Sequence, residues 1–165
     1  MTHNDLTVTS KFIKDISIIT NDLKACILSP TIEYNYYNNL FKDLTILTKN
    51  EWDLNYKSKY NFDIIIANNI LHYSNNPQLW IDNIFNSCNL FLIQDLMKRQ
   101  RSADNEYGND GDSARYSFNG YDYIENSFNI SSLNHKIINS YIYDGGSNEY
   151  DDNPKHFICL LTNDT

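Results

Sequence analysis

His72 and Tyr73 stand side by side at the end of the apolar run in ANNILHYSNNP. Imidazole has an unperturbed pKa close to neutral pH, so His72 could act as a general base toward a hydroxyl or an amine, with Tyr73 beside it as a second candidate catalytic residue. The competing role for the pair is to cap and pack the strand before it. Asp95 lies near the end of a second apolar run, LFLIQDL, and Arg99, Arg101 and Arg115 follow it. Together they could receive an anionic substrate, since a guanidinium meets a carboxylate or phosphate through paired hydrogen bonds. Alternatively, the arginines only balance the acidic stretch DNEYGNDGDS at 104–113. That stretch lacks the D-x-[DN]-x-[DN]-G order and the closing glutamate of a calcium loop, so no metal site is expected there, and it reads equally as a lid or a partner surface. Cys26, Cys88 and Cys159 are odd in number and widely spaced, with no CxxC and no Cys/His pair at ligand spacing. They are expected to be small buried hydrophobes, neither disulfides nor zinc ligands.

These residues must be positioned by alternating elements. Residues 6–9 (LTVT) read as a short strand, and Thr9 or Ser10 could cap a helix carrying Phe12, Ile13, Ile16 and Ile19. Residues 23–28 (LKACIL) read as a buried strand stopped by Ser29-Pro30. A helix over 31–43 follows, with Ile32, Tyr36, Leu40 and Phe41 on one face, and then a strand over 44–48 (LTILT). Residues 62–67 (FDIIIA) are continuously apolar, as a parallel strand covered on both faces should be. Asn75-Asn76-Pro77 turns into a helix with Leu79, Trp80, Ile84 and Phe85 as its stripe, and residues 90–96 form the next strand. A long polar loop over 98–119 and a short helix over 121–128 precede two strands, 135–144 and 156–161, which must pair antiparallel around Gly145-Gly146. Strands alternating with helices predict an α/β fold with a mostly parallel sheet. Ligands of such a sheet bind at the carboxyl ends of its strands, where the loops 68–74 and 95–117 meet.

The chain has 165 residues, enough for one domain around one core, and 41% of them are hydrophobic, too many for a disordered chain. Thirteen Lys and Arg against 21 Asp and Glu give a net charge of -8, which repels polyanions. The one basic cluster, Lys98, Arg99 and Arg101, is too short to offset this, so no nucleic-acid partner is expected. No apolar run is long enough to span a bilayer, and MTHNDLTVTSK lacks the basic and apolar regions of a signal peptide, so a cytoplasmic location is expected.

The stretch FDIIIANNILHYSNNPQLWIDNIF at 62–85 closely resembles the fourth strand, following loop and next helix of class I methyltransferases, which use S-adenosylmethionine (SAM). CILSPTIEYNYYNNLFKDLTILTKNEWDL at 26–54 is similar to that family's second strand, second helix and third strand. The resemblance covers most of 23–96 and implies a Rossmann-like sheet in the order 3-2-1-4-5-7-6 with a C-terminal antiparallel hairpin, the chain forming a single domain shortened at its N-terminus. It also implies SAM as cofactor. Thr9 and Ser10 would lie at the turn after the first strand, Asn50 or Glu51 at the adenine amino group, and Asn68 at the end of the fourth strand. Asp95, Arg101, Arg115 and Tyr116 would lie on the substrate side, Tyr116 within an aromatic cluster forming an apolar wall.

Two positions depart from the family's pattern. No glycine occurs before Gly108, although the family's first strand runs into a glycine-rich loop against the methionine part of SAM. The acidic residue that should end the second strand and bind ribose falls at Ile27, which accepts no hydrogen bond. The sequence therefore admits two functions. One is a SAM-dependent methyltransferase acting on a small molecule, with His72 assisting an in-line transfer. The other is a non-catalytic relative that binds a small molecule or a protein partner, a homodimer being one such assembly.

Overall fold

Six strands share one sheet in a computed structural model that describes residues 3–28, 37, 39–47, 61–68, 70–71, 77–96, 135–144 and 155–163. They are β1 (Lys24–Leu28), β2 (Asp43–Leu47), β3 (Phe62–Asn68), β4 (Cys88–Leu96), β5 (Lys136–Asp144) and β6 (Lys155–Thr162), and their order is β2-β1-β3-β4-β6-β5. β2, β1, β3 and β4 run parallel, and β6 lies antiparallel between β4 and β5. Two helices are described, α1 (His3–Asp15) and α2 (Pro77–Ile84), with Pro77 at the first helical position, where its missing N–H costs no bond. Among the described residues, no helix is long and apolar enough to cross a membrane.

Alternation along each strand divides the core in two. Cys26 and Leu28, Ile65 and Ala67, Phe91 and Ile93, and Phe157, Cys159 and Leu161 pack against Ile81, Ile84 and Phe85 of the α2 region. Ala25 and Ile27, Ile64 and Ile66, Leu92, and Ile158 and Leu160 pack against Leu6, Phe12, Ile13 and Ile16 on the other face. The stripe of α2 is shifted from the one expected: Ile81 is fully buried, whereas Leu79 is exposed. All three cysteines are buried free thiols, as their apolar neighbours predict. Burial pushes the Cys159 thiol up to about 12 and raises the Cys88 thiol further, so neither is a nucleophile near neutral pH.

The strand expected over 6–9 does not form. Leu6, Thr9, Phe12 and Ile13 are buried on one side of α1, and Ile16, just past its end, extends that stripe with its N–H on the Phe12 carbonyl at 3.2 Å. Burial of that stripe outweighs the local strand preference of the β-branched residues Thr7, Val8 and Thr9. Neither Thr9 nor Ser10 is a cap. Ser10 lies mid-helix, and its Oγ donates to the carbonyl of Leu6 at 2.9 Å. The first strand of the sheet is therefore β1, and the observed order is the expected one without the strand assigned to 6–9.

Candidate functional site

The topological switch point lies between β1 and β3. The chain leaves β1 for β2 on one side and returns to β3 on the other, so the carboxyl ends of β1 and β3 flank the crevice where this class of sheet binds ligands. Asn68 is the last residue of β3 and is fully buried. It points to the α1 face, following Ile64 and Ile66 at every second position, and Gln94 follows Leu92 on β4 in the same way.

At this edge the α1 face changes from apolar to polar. The Tyr37 hydroxyl donates to Asn68 Oδ1 at 2.7 Å. Asn68 Nδ2 donates to Thr9 Oγ1 and to Gln94 Oε1, both at 3.2 Å. Gln94 Nε2 then donates to the Tyr143 hydroxyl at 2.9 Å. All five residues are buried, so each bond replaces one that water would otherwise make, and the removal of any one leaves a buried partner unsatisfied. Asn68 Nδ2 spends both hydrogens, and this fixes which way its amide faces. The network ties α1, Tyr37, β3, β4 and β5 together beneath the carboxyl edge. Its five described side chains are amides and hydroxyls, and their mutual bonds brace this edge. His156 is buried nearby with its ring 5.5 Å from that of Tyr143, and Asp95 is buried on β4, opposite Phe157 in the β6 register.

Two cofactor-side candidates, Thr9 and Asn68, are brought into direct contact, though Thr9 comes from a helix and not from a turn. Ser10 is half-buried on the same helix and Asp95 lies in β4. His72, Tyr73, Asn50, Glu51, Arg101, Arg115 and Tyr116 lie outside the described residues, as does the acidic stretch 104–113. Tyr37, Gln94 and Tyr143 were not singled out by sequence. Gln94 carried a readable signal, a lone amide inside an apolar strand that has to find partners, and Tyr37 shares helical spacing with Leu40 and Phe41.

A second polar cluster sits at the other end of the strands. His135 Nε2 lies 2.8 Å from Asp82 Oδ1, which also accepts from Gln78 Nε2 at 2.8 Å, and the His135 ring stacks on Phe85 at 4.2 Å. Lys136 pairs with Thr162 and Thr162 with Leu90, so this cluster flanks the start of β4, remote from the switch point. Among the described residues, no group of three or more His, Cys, Asp or Glu side chains could hold a metal ion.

No protein-family model matches the sequence, and no curated protein matches it. Solved structures do match. A SAM-dependent methyltransferase from Geobacter sulfurreducens in complex with S-adenosyl-L-homocysteine is 9% identical, with 98% of this chain and 91% of that one covered at a TM-score of 0.63. The N-methyltransferase NodS from Bradyrhizobium japonicum WM9 is 10% identical, with 98% and 97% covered and a TM-score of 0.53. Phosphoethanolamine N-methyltransferase 2 of Haemonchus contortus, in complex with S-adenosyl-L-methionine, is 9% identical, with 96% of this chain but 52% of that one covered and a TM-score of 0.57. At such identities the likeness is one of fold. The sheet order, the parallel strands about the switch point and the inserted antiparallel β6 give this chain the fold of class I SAM-dependent methyltransferases.

Proposed function

We propose that the chain is a non-catalytic protein of methyltransferase fold, a module that binds a partner and transfers no methyl group. The observation that carries this reading is the composition of the chain after the first strand. With β1 ending at Leu28, the family's cofactor loop corresponds to residues from 29 onward, and no glycine occurs before Gly108. Every residue there carries a Cβ where the family brings bare backbone against the methionine part of SAM. Thr9 and Asn68, which the resemblance places on the cofactor side, instead bond to each other, and Asn68 also to Tyr37 and Gln94. These observations support a chain that does not hold SAM at this edge.

The position of β1 supports a second reading. Ile27 lies within β1 and not at the end of the second strand, so its inability to bond ribose is no longer an obstacle. The chain beyond β2 leads to Asn50 and Glu51. In this reading the protein methylates a small molecule, His72 with Tyr73 accepts the substrate proton, and Asp95, Arg101, Arg115 and Tyr116 receive the substrate. Calorimetric titration with SAM and with its demethylated product separates the two. Silence up to millimolar ligand is the expected result, and micromolar binding would replace the first reading with the second.

A further inference from the structure

We draw no further inference here: the strongest candidate, the cluster of His135, Asp82 and Gln78 where the chain enters β5 beside α2, offers among the described residues one imidazole and one carboxylate, fewer groups than a metal ion needs, and the His135 ring nitrogen that has no partner there is buried out of a ligand's reach.

Discussion

The two faces of the sheet are built from alternate residues of the same strands, and they end differently. On the α2 face the rows stay apolar to the carboxyl edge through Ala67 and Phe157, with Asp95 as the exception. On the α1 face they turn polar one step from the end, where Ile66 gives way to Asn68, Leu92 to Gln94 and Ile158 to His156. The first face is held by area removed from water, which is undirected and additive. The second ends in directed bonds that hold only while every member is present. One sheet thus joins a core that tolerates adjustment to an edge that specifies a single arrangement of α1, β3, β4 and β5.

The comparison breaks most severely on the apolar side. Phe91 is fully buried, with the Trp80 ring 5.6 Å away and the Phe85 ring edge-on at 5.9 Å. Phe91→Ala should cost about 3–5 kcal/mol in urea unfolding, through lost transfer energy and a cavity. On the polar side, Asn68→Ala removes the acceptor of the Tyr37 hydroxyl bond and the donor to Gln94 Oε1, and should cost about 2–3 kcal/mol. Adding Tyr37→Phe should then cost much less than it does alone. Additive losses would show that these residues do not act as a unit.

The smallest effect sharpens the contrast through pH. Burial raises Cys88 and Cys159 above an ordinary thiol, so in alkali the unfolded chain loses these protons first. Their contribution is complete below about pH 8.5 and is lost as pH rises toward the folded values, each thiol costing on the order of 1 kcal/mol by pH 10. Urea midpoints should fall between pH 8 and 10 for the native chain, and more shallowly once both thiols are replaced by alanine. An unchanged slope would assign the alkaline loss to other groups.

Most strands could be read from the sequence because burial on both faces leaves a continuous apolar signal, as in FDIIIA and LFLIQDL. The position of β6 between β4 and β5 came from the family resemblance, not from local pattern. Residues 6–9 fit a strand locally, as four β-branched or apolar residues in a row, while the contacts that decide for helix, from Leu6 and Thr9 to the sheet, are distant in sequence. The braced edge was only half legible. Asn68 was marked by the resemblance, but no local spacing reveals that Thr9, 59 residues earlier, would accept its hydrogen bond.

The order of strands also governs how the molecule can be made. β6 is the last of the described strands, yet it lies inside the sheet between β4 and β5. Until a ribosome has released residue 162, neither β4 on this side nor β5 has a described strand neighbour. The parallel half can assemble early, but among the described residues its β4 border gains a partner strand only with β6. A chain halted in that interval is a template for pairing with other chains. Its yield in a cell should therefore depend on chaperone supply and translation speed more than on the stability of the finished fold.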